Sequence, residues 1–188
     1  MKIEFIGAQG TGKTTVADRL RGQGIPIIDN VIRDLVKRDH IRINQSGDIT
    51  SQNTIFRAYT YALDEYMDFI STRSLFDVVA FTQYLYTKGR IDDPKDIVCM
   101  IDELKDYLKF NKDVIYVYFP IEFELVDDGL HDTDKTYQRE IDKIIVEMLT
   151  RMKIPYYTIH GTVDERVKFV KELMDRIDER GVKNNKIK

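Results

Sequence analysis

Gly7-Ala8-Gln9-Gly10-Thr11-Gly12-Lys13-Thr14 is the stretch on which the reading of this 188-residue chain turns. It fits the spacing G-x-x-x-x-G-K-[ST] and lies between a β-rich run at 2–6 and a helical pattern that starts at Thr14. Glycines at these positions let the backbone bend around a polyphosphate and turn successive N–H groups inward. The helix that follows brings the partial positive charge of its N-terminus to the same point. The spacing therefore predicts that Gln9, Gly10, Thr11, Gly12, Lys13, Thr14 and Thr15 bind the phosphates of ATP or GTP. Lys13 is expected on the β- and γ-phosphates, and the Thr14 hydroxyl is the expected ligand of Mg²⁺.

Outward from this loop, strand and helix patterns alternate. Strands are expected at 2–6, 25–28, 69–71, 114–119 and 154–159, and the run at 114–119 is β-branched and aromatic throughout, as a buried parallel strand should be. Helices are expected at 14–21, 31–38, from Ser51 through Tyr66 with Ser51 as the cap, and at 75–86. Others open at Asp92-Asp93-Pro94 and cover 137–152 and 163–177. Alternation of this kind predicts an α/β fold with a five-stranded parallel sheet and helices on both faces. Residues 1–180 are expected to form a single domain, and 181–188 a flexible tail.

Lys plus Arg number 29 against 32 Asp plus Glu, a net charge of -3, which argues against non-specific nucleic-acid binding as the main activity. The lone Cys99 excludes an intrachain disulfide and is expected to be a partly buried thiol. No apolar run reaches membrane-spanning length, and the chain is expected to be cytoplasmic.

The phosphate loop, Asp29-x-x-x-Arg33, Gln52, Arg73-Ser74-x-x-Asp77-x-x-Ala80-Phe81 and Asp127-Asp128-Gly129 together resemble the small P-loop kinases. The likeness is to the branch of ribosylnicotinamide kinase-like and phage-encoded kinases, related to thymidylate and deoxynucleoside kinases. It implies a three-layer P-loop kinase fold with a lid segment, Mg²⁺ as cofactor and ATP as phosphoryl donor. Related kinases carry an acidic residue before the arginine that clamps substrate, whereas this chain has Thr72 before Arg73. Where relatives have Asp-Asp-Gly-x-Arg in the lid, the last position here is His131, which leaves Arg139 as the basic candidate there.

Lys13, Asp29, Arg73 and Arg139 are accordingly the expected catalytic residues. Asp29, at a strand's carboxyl end, reads equally as a general base, a holder of a magnesium water or a helix cap. Arg33, Gln52, Arg57, Asp77 and Phe81 are the expected substrate-binding residues, and Phe81 with Tyr84 could stack on an acceptor base. The arginines favour an acceptor that is already phosphorylated, a (deoxy)nucleoside monophosphate such as a thymidylate-like pyrimidine. Two other functions fit the motif. One is a kinase of a hydroxymethylated pyrimidine in phage DNA, with Lys37-Arg38-Asp39-His40-Ile41-Arg42 as the trough for the strand. The other is a regulatory ATPase acting through a protein partner, against which the strand at 114–119 ends in Pro120 rather than an acid. A homodimer is a further expectation of the resemblance.

Overall fold

The structure is a computed structural model that describes residues 1–125 and 133–185. Five parallel strands, β1 (Lys2–Ile6), β2 (Ile27–Ile28), β3 (Phe69–Ser71), β4 (Val114–Tyr118) and β5 (Tyr156–Thr158), form one sheet in the order β2-β3-β1-β4-β5. β1 is central, with Ile3 opposite Ile70 on one side and Ile115 on the other. The carboxyl ends of β1, β2, β3 and β4 therefore open onto one edge of the sheet, where open α/β sheets receive ligands.

Alternation along the strands sends side chains to two separate cores. Ile3 and Phe5 of β1 join Val117 and Phe119 against helix α1 (Lys13–Leu20) and helix α7 (Val163–Asn185), with Val16, Leu20, Val170 and Leu173 completing that layer. Ile6, with Tyr116 and Tyr118, faces the opposite layer. That layer consists of α2 (Val31–Asp39), α3 (Ile49–Asp64), α4 (Leu75–Thr87), α5 (Pro94–Phe110) and α6 (Lys135–Arg151). α4 is its middle member, almost entirely buried, and packs on α3, α5 and α6.

Several boundaries differ from expectation for local reasons. Asp48, not Ser51, caps α3: its carboxylate accepts the Ser51 N–H at 2.8 Å, so the helix starts at Ile49. β5 begins only after Pro155, which has no N–H to give a sheet. α7 extends past 177 and takes in 181–185, the first part of the expected tail. A single Gly181 inside a helix costs only about 1 kcal/mol, too little to stop it. Cys99 is exposed on α5, not partly buried. Among the described residues no helix is long and apolar enough to cross a membrane.

Candidate active site

Gly7 follows the last residue of β1 with φ +149°, and a Cβ there would sit 2.5 Å from the Phe119 carbonyl oxygen. Only glycine lets the loop leave the sheet so close to β4. Gly10 and Gly12 also have positive φ, 70° and 87°, and Gly12 stands at the N-cap of α1 with no side-chain cap hydrogen bond among the described residues. The first N–H groups of α1 are thus left for an anion.

Lys13 is buried and folded back on its own loop. Its ammonium donates to the carbonyls of Gly7 at 2.5 Å and Ala8 at 2.6 Å, and to Thr11 Oγ1 at 3.1 Å. Burial pulls its pKa down to about 7, against the opposing pull of the Asp77 and Asp142 carboxylates, while nearby Arg73 pushes it further down. Thr14 and Thr15 are exposed and line a cleft of about 820 Å³ together with Gln9, Gly10, Lys13, Asn30, Ile32, Arg33, Tyr59, Thr72 and Arg73. Among these lining residues three carry positive charge and none is a carboxylate. Both amide atoms of Gln9 are buried there without a hydrogen-bond partner, an arrangement suited to a polar ligand.

Arg73 and Ile32 also line a narrow adjoining pocket, with Ile43, Asn44, Gln52, Ile55, Val78 and Phe81. The Gln52 amide lies 3.3 Å from Thr82 Oγ1, whose proton goes to the Val78 carbonyl at 2.9 Å. The Arg73 guanidinium lies over the Phe81 ring, 5.4 Å from its centroid. The structure thus brings together the phosphate loop, Arg33, Gln52, Arg73 and Phe81.

Other expected residues lie elsewhere. Asp77 is fully buried and points at the phosphate loop's backbone, not into the cleft: Gly7 N–H donates to it at 3.0 Å, and it closes a capping box with Ser74 on α4. Burial pushes its carboxyl above the usual range, opposed by Lys13 and Arg73. Arg57 lines neither pocket; it faces α5 from the surface, 3.8 Å from Glu103. Asp29 is paired with Arg21 and does not cap α2, whose N-cap is Asn30 without any side-chain cap bond. Tyr84 is buried against Tyr137, with ring centroids 4.7 Å apart, and so is part of the core. Arg139 is exposed on α6. Its alternative partner, Asp142, accepts instead from the Tyr118 hydroxyl at 2.8 Å. In the 37–42 stretch Arg38 is bonded to its neighbour Asp39, at 2.8 and 2.9 Å. Asp127, Asp128, Gly129 and His131 lie outside the described residues.

Three contacts to the loop had no counterpart in the sequence reading. Gln138 of α6 donates to the Gln9 carbonyl at 2.7 Å. Phe123, after β4, packs on Gly12, where a Cβ would meet its ring at 3.0 Å. Arg166 of α7 donates to the Thr11 carbonyl at 2.8 Å. Thr162-x-x-Glu165 is a capping-box spacing that marks the start of α7, and the box is present, but nothing local signals that the next residue is a buried arginine.

Comparison with known proteins agrees with this geometry. The AAA domain family matches residues 2–166. None of the curated proteins matches the sequence. Among solved structures, deoxyadenosine kinase from M. mycoides with products dCMP and a flexible dCDP is similar with a TM-score of 0.68 at 17% identity, over 94% of this chain and 100% of that one. NadR protein in complex with NAD and AMP-PNP is similar with a TM-score of 0.64 at 11% identity, over 91% of this chain and 49% of that one. Shikimate kinase from Aquifex aeolicus gives 0.55 at 20% identity, over 93% and 96%. The chain belongs to the AAA domain family and has the α/β fold of the small P-loop kinases.

Proposed function

We propose that the protein is a Mg²⁺- and ATP-dependent phosphotransferase whose acceptor is a nucleoside monophosphate. One observation carries the choice of acceptor. The cleft between the phosphate loop and the apolar pocket is lined by Lys13, Arg33 and Arg73, with no carboxylate among its described residues. A phosphate oxygen is already ionised and needs no base, whereas a hydroxyl acceptor needs one. The carboxylate best placed in sequence for that task, Asp29, is engaged by Arg21.

The residues present fit ATP and Mg²⁺. Glycine N–H groups and the uncapped α1 N-terminus suit a polyphosphate, and Lys13 would exchange its bonds to the loop's carbonyls for bonds to phosphate. Thr14 offers one hydroxyl, and the described residues contain no cluster of three or more acidic, His or Cys ligands. That is the donor set expected where Mg²⁺ is held largely by the nucleotide and water. When bound, the ion neutralises charge on the phosphates. Arg33 and Arg73 would hold the acceptor anion, and Gln52 with Asn44 would meet the polar edge of a base against Ile32, Ile55 and Phe81. Catalysis in this arrangement is positioning plus charge stabilisation.

The test is a panel assay with γ-labelled ATP and Mg²⁺ against nucleosides, nucleoside monophosphates and hydroxymethylated duplex DNA. Label is expected on a monophosphate. Label only on a nucleoside, or only on DNA, overturns the proposal in favour of a hydroxyl acceptor. ATP binding without transfer to any acceptor favours a regulatory ATPase.

A further inference from the structure

Arg166 is the largest wholly buried side chain among the described residues, with no exposed surface. Each of its three guanidinium nitrogens makes one hydrogen bond, and each bond reaches a different segment. Nη1 donates to the Thr11 carbonyl in the phosphate loop at 2.8 Å. Nε donates to the Gly161 carbonyl in the β5–α7 connection at 3.0 Å. Nη2 donates to the Glu122 carboxylate after β4 at 2.7 Å. The face of the guanidinium lies 4.5 Å from the centroid of Phe123, the ring that packs on Gly12, and 5.5 Å from that of Phe119. Glu122 in turn accepts the Gly161 N–H at 2.9 Å and contacts His160, which closes the circle between the two connections.

A wholly buried guanidinium paired with a partly exposed carboxylate is a poor means of filling a core, since apolar residues of similar volume often serve stability as well or better. What this pair supplies is geometry. A trans peptide is planar, so the Thr11 carbonyl and the Gly12 N–H on the same peptide unit point in opposite directions. Fixing the carbonyl on Arg166 fixes the direction of that N–H, and a cationic donor also polarises the peptide so that its N–H donates more strongly. Gly12 has φ +87° and no side chain to hold it, so its orientation depends on such outside support.

We propose that Arg166 is a positioning residue of the donor site: it fixes the Thr11–Gly12 peptide for phosphate binding and keeps Phe123 and the β5–α7 connection in register with it. The proposal rests on the reading of the loop as the ATP site, but not on the identity of the acceptor. Lysine keeps the charge at this position but cannot reach three acceptors in fixed planar directions.

The experiment measures the affinity of purified protein for AMP-PNP with Mg²⁺ and for dTMP by calorimetry, alongside the melting temperature, which alone reports general loosening if the parent binds no dTMP. The variants are Arg166→Lys and Glu122→Gln. Folded Arg166→Lys is expected to bind AMP-PNP about tenfold more weakly with dTMP affinity unchanged, and Glu122→Gln to show the same split to a smaller extent. AMP-PNP affinity within about twofold of the parent in folded Arg166→Lys would mean that the residue is only structural, and equal losses for both ligands would mean general loosening. Either result overturns the proposal. If Arg166→Lys does not fold, Glu122→Gln decides by the same criteria. A parent protein that binds AMP-PNP but phosphorylates no acceptor disproves the proposed function and leaves this inference standing. One that binds no AMP-PNP disproves both.

Discussion

The Gly7 amide donates to the Asp77 carboxylate at 3.0 Å, across 70 residues of sequence. The bond ties the start of the phosphate loop to the first turn of α4, the most buried helix, and the same carboxylate also accepts the Ser74 N–H at 3.4 Å. Asp77→Ala would leave two buried N–H groups without an acceptor. A loss of about 2–4 kcal/mol is expected in denaturant unfolding. Asp77→Asn, which keeps one acceptor oxygen, should lose about half as much.

Glu4, on the strand that leads into the loop, provides a stability test. It is fully buried on β1, and burial pushes its carboxyl up to about 8 despite the Tyr107 hydroxyl, which donates to it at 2.5 Å. The folded state therefore keeps a proton that the unfolded state releases near pH 4.3. This contribution is complete below the unfolded value and lost as pH rises through about 8. Glu4→Gln should flatten the fall in stability between those limits and leave the variant more stable than the parent at pH 9, by a few kcal/mol on the order-of-magnitude scale of such shifts. Equal slopes for both proteins in chemical unfolding at a series of pH values would contradict the assignment.

Lys13 should make nucleotide binding visible as a proton balance. Burial holds its ammonium near pH 7 in the ligand-free protein, and a polyphosphate in the loop would raise that value. At pH 8, binding of Mg²⁺-ATP is expected to take up a substantial fraction of a proton, so affinity falls as pH rises above about 7. Calorimetry in two buffers of different ionisation enthalpy measures this uptake. Lys13→Met should lose both the uptake and phosphoryl transfer while remaining folded.

Thr72 and Asp29 separate an ionised acceptor from a hydroxyl. Thr72 lines the cleft with Arg33 and Arg73, and a carboxylate at this position would repel an incoming phosphate. Thr72→Glu is expected to raise KM for a monophosphate by about tenfold or more, at little change in KM for ATP. Asp29→Asn should leave kcat for a monophosphate within about threefold, whereas a fall of about 100-fold would identify Asp29 as a general base after all.

Phe81 is expected to act on the acceptor side alone. Its ring forms a wall of the apolar pocket and carries the Arg73 guanidinium. Phe81→Ala should raise the acceptor KM by about tenfold through lost contact area and a freed arginine, with ATP affinity unchanged. Loss of ATP affinity instead would place the pocket on the donor side.

The phosphate loop and the strands were legible because their determinants are local: Gly7, Gly10, Gly12 and Lys13 stand at fixed spacing, and 114–119 is a continuous apolar run. Asp93 caps α5 within the Asp92-Asp93-Pro94 run that marks its opening in the sequence. Asp77 was legible as a polar residue near the site but not as a buried one, because the Gly7 amide that satisfies it is 70 positions away. Arg166 and Glu122 were not legible at all: on an exposed helix face and in a polar connection the same letters would mean solvated charges. The strand order, with β1 between β3 and β4, joins these distant residues and is written in no local pattern.

The charge of the cleft has a further consequence for turnover. Lys13, Arg33 and Arg73 line the cleft, and with no acid among its described lining residues the wall favours whichever molecule carries more negative charge. For a monophosphate acceptor, transfer makes that molecule the product. The cation-rich wall that draws the acceptor in then becomes a brake on departure, so the diphosphate should leave slowly, inhibit competitively and set the pace of the catalytic cycle.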